Sequence, residues 1–295
     1  MVKKYRSRKA GEKIIETYDQ LLKGWDCELI ERDIETTYGT THVIETGIKD
    51  GDPLVLFHGV GDDSALMWIF NAKELGKHYR IYAIDTMGGP GKSVPNENYN
   101  KSFDDTKWID ETLQGLNIDR AYFAGVSMGS YLVALYTIRR TDKVKKGICI
   151  SGAVHSESKS GVIPPMFKIF LPEALFPNDK NVQKLIRKLC GSKYTVFTDD
   201  ALIMDHYKSL LKGFNNAAMG YHKIEKTFTP EQIDILRTKV TFLVGNEDPF
   251  QKMGGREALL KNNMDAVFYE DAGHGLNHEL HDEINSKMIE LLSHA

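Results

Sequence analysis

Gly125-Val126-Ser127-Met128-Gly129 follows the apolar run Arg120-Ala121-Tyr122-Phe123-Ala124 and precedes Ser130-Tyr131-Leu132-Val133-Ala134-Leu135-Tyr136. The run before it reads as a strand and the run after it as a helix. A serine between the two, with glycine two residues away on each side, implies a sharp turn that presents the hydroxyl. The glycines leave room where side chains would collide with that turn. The spacing G-x-S-x-G alone also fits an ordinary turn carrying a small polar residue; the strand-turn-helix context gives it chemical meaning.

Outward from this turn the chain alternates. Continuous apolar runs occur at Leu54 to Phe57, Tyr79 to Ile84, Ala121 to Ala124, Gly147 to Ile150, Val240 to Val244 and Ala266 to Tyr269. Runs without polar alternation suit strands buried on both faces. Helical patterns fall between most of them, at Ala65 to Leu75, Phe103 to Leu116, Ser130 to Arg139 and Met253 to Asn262, with a terminal helix over Asn277 to Leu292. Strands alternating with helices predict a parallel sheet covered on both faces. Ahead of this unit lie a helix near Lys13 to Trp25 and two strand-like runs, Cys27 to Ile34 and Thr40 to Thr46, that predict a hairpin turning near Gly39.

One segment breaks the alternation. From 156 to 229 no buried strand is evident. Pro164-Pro165, the apolar residues Met166, Phe167 and Phe170, and helical patterns near Val182 to Leu189 and Leu202 to Leu211 fill it. A structureless loop of that length is improbable in a compact domain. The expected organisation is a core over 1–155 and 230–295, with 156–229 as a helical cap over the carboxyl edge of the sheet, where α/β sheets bind ligands.

Each strand end carries candidate chemistry. After Leu54 to Phe57 comes His58-Gly59-Val60-Gly61-Asp62-Asp63. Its backbone N–H groups can form half of an oxyanion hole, with Met128, the residue after the serine, supplying the other half. Val60 is the expected donor, supported by His58 and Gly59. After Val240 to Val244 comes Gly245-Asn246-Glu247-Asp248, and after Ala266 to Tyr269 comes Glu270-Asp271-Ala272-Gly273-His274. Ser127, Asp248 and His274 stand in the order nucleophile, acid, base, each just past a strand. His274 would take the serine proton and Asp248 would orient the imidazole. Glu247 is a rival acid. The end of the preceding strand, Ser151-Gly152, offers no carboxylate.

Other features read as decoys. Gly88-Gly89-Pro90-Gly91-Lys92-Ser93 resembles a phosphate loop, but the pattern needs glycine where Thr86 stands, and Pro95 interrupts the helix that should follow. Asp85 precedes the serine and reads as a loop-fixing residue. His278 and His281 read as a solvated polar face rather than metal ligands, and no metal or other cofactor is expected. Cys149 reads as a small core residue.

Composition narrows the class. Across 295 residues, 41% are hydrophobic and 27% charged, with a formal net charge of -3. No basic surplus points to nucleic acid, and no run reaches the roughly 18 apolar residues of a membrane span. The basic start, Met1 to Lys9, leads into Glu12, Glu16 and Asp19 rather than an apolar run, so a secretory leader is not expected. Three scattered cysteines suit reduced thiols and a cytoplasmic location. The sequence carries no signal for oligomeric state.

Together these motifs resemble the α/β-hydrolase superfamily. The resemblance covers essentially the whole chain: two leading strands, His58-Gly59, the Asp85-x-x-Gly88 region with Gly91-x-Ser93, Gly125-x-Ser127-x-Gly129, Gly245-x-x-Asp248 and Gly273-His274. It is strongest to small bacterial serine carboxylesterases with a helical cap. It implies an eight-stranded, mostly parallel sheet whose second strand is antiparallel, and a Ser127-His274-Asp248 triad with donors at Val60 and Met128. It further implies hydrolysis of a small-molecule carboxylic ester without a cofactor. The loop Asp85 to Ser93 is one residue longer than the D-x-x-G-x-G-x-S pattern of many relatives. Thioester hydrolysis, acyl transfer, carbon–carbon cleavage and perhydrolysis use the same triad, and a non-catalytic binding protein can share the scaffold.

Overall fold

The computed structural model describes residues 2–155, 169 and 173–294. The Pro164-Pro165 pair and the apolar residues Met166, Phe167 and Phe170 lie outside the described residues. The chain opens with α1 (Arg8–Lys23), capped by the Ser7 side chain on the amide of Ala10. The hairpin follows as β1 (Leu29–Thr36) and β2 (Gly39–Gly47). Gly39 has φ +125°, and a Cβ there would lie 2.2 Å from the Val94 carbonyl, so only glycine makes this turn.

The remaining elements are β3 (Pro53–Phe57), α2 (Ser64–Met67), α3 (Ala72–Leu75), β4 (Arg80–Ile84), β5 (Val94–Pro95), α4 (Asp105–Gly115), β6 (Ala121–Val126), α5 (Met128–Arg139) and β7 (Val144–Ile150). After β7 come α6 (Asp179–Leu189), α7 (Thr195–Thr198), α8 (Ala201–Gly213) and α9 (Pro230–Lys239). The chain finishes with β8 (Val240–Gly245), α10 (Arg256–Lys261), β9 (Asp265–Tyr269), α11 (Leu276–Glu279) and α12 (His281–Ser293).

Eight strands run in the order β1-β2-β4-β3-β6-β7-β8-β9, and the two-residue β5 pairs with β2 off that path. β2 is antiparallel to both neighbours, and β4 through β9 are mutually parallel along the path. The expected sheet is therefore present. Alternate residues of the inner strands serve opposite cores. Leu54 and Leu56 pack on the α1–α2 side, while Val55 and Phe57 pack on the α4–α5 side. This two-sided burial is why the strands read as unbroken apolar runs.

Three expected helices are shorter or broken. Ala65 to Leu75 divides into α2 and α3, because Asn71 turns inward and donates to Asn277 O and Asn285 Oδ1. Met253 to Asn262 is regular only over α10, because Gly254 sits at φ +102° in a wide turn over Gln251–Gly255. Asn277 to Leu292 bends at Leu280, which leaves the helical region at φ -122° and ψ 39°. Among the described residues no helix is long and apolar enough to cross a membrane.

Candidate active site

Ser127 stands between β6 and α5 at φ 56° and ψ -112°. A non-glycine residue there stores on the order of 1–3 kcal/mol of backbone strain, held only by surrounding structure. The serine amide donates to Ile150 O of the adjacent strand at 3.0 Å. A Cβ on Gly125 would lie 2.3 Å from the Gly129 backbone, and one on Gly129 would lie 2.2 Å from Phe57 O. Both glycines of the pentapeptide are thus fixed by backbone-to-backbone approach. Met128 opens α5, so its N–H has no acceptor within the helix.

The turn after β3 runs alongside. A Cβ on Gly59 would lie 3.5 Å from the Ser127 Cβ. Buried His58 holds the turn in shape. Its Nε2 accepts from the Thr86 amide at 2.9 Å, so the ring is neutral, and Nδ1–H donates to Gly59 O at 2.8 Å. Burial also lowers its pKa. Val60, expected as an oxyanion donor, follows directly.

Asp248 and His274 meet where the ends of β8 and β9 adjoin. Asp248 Oδ2 lies 2.9 Å from His274 Nδ1, and Asp248 Oδ1 accepts from the Phe250 amide at 2.8 Å. The Asp248 carboxylate is 0% exposed. Its rival Glu247 is 51% exposed and pairs with Lys252, so burial separates the two acids. Burial disfavours a charged His274 ring, but the charge and hydrogen bond of Asp248 outweigh it and hold its pKa above the ordinary histidine value. With Nδ1 turned to Asp248, Nε2 is the free nitrogen. Phe250 packs on the imidazole with ring centres 4.6 Å apart.

Ser127, Met128, Gly59, Val60 and His274 line one cavity of about 1050 Å³. Its other walls include Leu189, Phe197, Tyr207, Leu210 and Phe214, all from the segment between β7 and α9. The pocket is therefore a joint product of the strand ends and the segment between β7 and α9.

The decoys resolve into structure. Asp85 accepts from Tyr18 Oη, Ser64 N and Lys92 N, binding α1, α2 and the glycine-rich loop together. That loop leads into β5, not into a helix. Cys149 is buried in the core, and burial pushes its thiol pKa up. His278 corrects the sequence reading of a solvated face. It is only 2% exposed, packs between Phe70 and Phe197, and donates from Nε2 to Leu66 O at 3.0 Å. No group of three or more metal-ligating side chains occurs among the described residues.

Several site-supporting residues carry no sequence signal. Ser151 Oγ donates to His274 O at 2.9 Å. Asp63 caps α2 and pairs with His206 of α8 at 2.9 Å, both side chains fully buried. His206 Nδ1 in turn lies 2.7 Å from Thr17 Oγ1. Burial disfavours a charged His206 ring, but Asp63 outweighs it and raises the His206 pKa. Asp62, also in the cavity wall, has its pKa pushed up by burial and then by Asp63.

Comparison with known proteins places this architecture. The family model described as "alpha/beta hydrolase fold" matches residues 52–279. The chain belongs to the α/β-hydrolase fold family. It is 25% identical over 293 residues to carboxylesterase YbfK of Bacillus subtilis, covering 96% of this chain and 94% of that protein. It is likewise 25% identical over 287 residues to the uncharacterized carboxylesterase nap of the same organism, covering 95% and 92%. The crystal structure of carboxylesterase CesB (YbfK) superposes with a TM-score of 0.81 over 97% of this chain and 99% of that one, at 22% identity.

Proposed function

We propose that this protein of the α/β-hydrolase family is a serine carboxylesterase acting through Ser127, His274 and Asp248. The observation that carries the reading is the 2.9 Å contact of buried Asp248 with His274 Nδ1 on the same cavity as the strained Ser127. Full-length similarity to two carboxylesterases supports the ester as substrate class.

In this reading Ser127 Oγ attacks the ester carbonyl as His274 Nε2 takes its proton. Asp248 fixes the tautomer and stabilises the imidazolium. The amides of Val60 and Met128 receive the developing oxyanion, with His58 and Gly59 shaping the first of them. The tetrahedral adduct collapses as His274 protonates the departing alcohol, leaving an acyl group on Ser127. Water, deprotonated by His274, then releases the acid and restores the serine.

Residues 156–229 act as a cap inserted into a core of 1–155 and 230–295. The apolar cavity walls Leu189, Phe197, Leu210 and Phe214 support this role. Cys27, Cys149 and Cys190 are free thiols, which supports a cytoplasmic location.

The test is direct. A fluorophosphonate probe should label Ser127, and Ser127→Ala should remove both labelling and p-nitrophenyl ester turnover, with kcat falling by about 10⁶. Retained turnover in that variant would sink the mechanism. Esters, thioesters and lactones of graded chain length then rank the substrate classes.

A further inference from the structure

The turn that carries His274 is gripped from outside the sheet. Its amide donates to Leu189 O, at the end of α6, at 2.7 Å. Ser192 N donates to Asp271 O at 3.1 Å. The two backbones run so close that a Cβ on Gly191 would lie 2.1 Å from Asp271 O, and one on Gly273 would lie 2.3 Å from Leu189 O.

One side chain closes this seam. Glu279, at the end of α11 and 4% exposed, accepts from Gly273 N with Oε1 at 3.0 Å and from Gly191 N with Oε2 at 2.5 Å. Its two oxygens therefore tie the residue before His274 to the segment just past α6. Burial pushes its pKa above the ordinary glutamate value, while the Gly191 and Gly273 amides oppose that by stabilising the ionised carboxylate. Cys190, Asp248 and His274 are the titratable groups that face it.

We propose that Glu279 is a positioning residue for catalysis, locking the His274 turn to the α6 end so that the imidazole is held in line with Ser127. The inference rests on the triad reading given above. It makes the insertion part of the catalytic apparatus and not only the wall of its pocket. A displacement of about 1 Å in such a group can cost as much as 100-fold in rate.

The experiment compares wild type, Glu279→Gln and Gly191→Ala with p-nitrophenyl esters across pH. Glutamine turns one acceptor into a donor that faces an N–H. It should lower kcat by about tenfold or more while KM stays within about twofold. It should also move the acid limb of kcat/KM to lower pH, because an anion beside His274 is lost. Gly191→Ala leaves the carboxylate in place but forces the α6 end away from Asp271. It should reproduce the loss of kcat without moving the acid limb. Unchanged kcat and an unchanged limb in folded Glu279→Gln overturn the proposal. Where that variant does not fold, unchanged kcat in Gly191→Ala overturns it alone. These failures differ from failure of the triad reading, which shows as turnover by Ser127→Ala.

Discussion

The serine turn and the histidine turn flank one cavity, but they are held by different kinds of contact. Ser127 is set by its own strand and helix. Gly125 and Gly129 permit the backbone crossing, and Ile150 of the next strand fixes the amide. His274 is set by segments distant in sequence: Asp248 on its ring, Ser151 on its carbonyl and Leu189 on its amide. The strained serine turn is held by the backbones of the inner strands beside it. A base at the end of an edge strand borrows its position from whatever packs on it.

The comparison is broken most sharply at Asp248. Asp248→Asn should lower kcat by about 10⁴ while the protein stays folded, since the wrong tautomer then faces Ser127. Glu247→Gln should behave as wild type. Equal losses in both, measured as kcat/KM on one ester, would remove the distinction drawn from burial.

Gly129→Ala tests the serine side. Its Cβ would meet the Phe57 carbonyl at 2.2 Å, so backbone must move and urea unfolding should show a loss above about 4 kcal/mol. Near-normal stability would mean that the turn is less constrained than its geometry requires.

The link between the turn after β3 and α8 is tested at Asp63 and His206. Asp63→Ala breaks a fully buried pair and removes the cap of α2, which should cost about 3–5 kcal/mol by urea unfolding. This pair also predicts a sign with pH. His206 has a raised folded pKa, so its stabilisation is complete below the unfolded value of about 6.5 and is lost as pH rises through the folded value. The stability gap between wild type and Asp63→Asn should therefore shrink toward alkaline pH. A gap independent of pH would mean that the pair is uncharged.

The smallest effect concerns His274 itself. Because its pKa lies above the ordinary value, the acid limb of kcat/KM should fall above about pH 6.5. A limb below that value would show that Asp248 does not govern the ring.

Much of this was legible from residues alone. The six parallel strands β3, β4, β6, β7, β8 and β9 were each marked by an apolar run, and for the inner ones burial on both faces leaves no polar alternation to confuse with a helix. The placement of Ser127, Asp248 and His274 on one edge of the sheet was legible because each closely follows a strand of the parallel sheet. The helix breaks at Asn71 and Leu280 were not, since an inward polar side chain is decided by its partners. His278 was misread for the same reason: only the packing of Phe70 and Phe197 makes that helix face an interior one.

The sequence by itself determined the sheet, the serine turn and the two strand ends that carry a carboxylate and a histidine, because these depend on local periodicity and on glycines where backbones cross. Tertiary structure alone decided which of two adjacent acids reaches the imidazole. It also brought His206 to Asp63 and Glu279 to the histidine turn. Those contacts join segments far apart in the chain, and their strength comes from burial, which no run of neighbouring residues encodes.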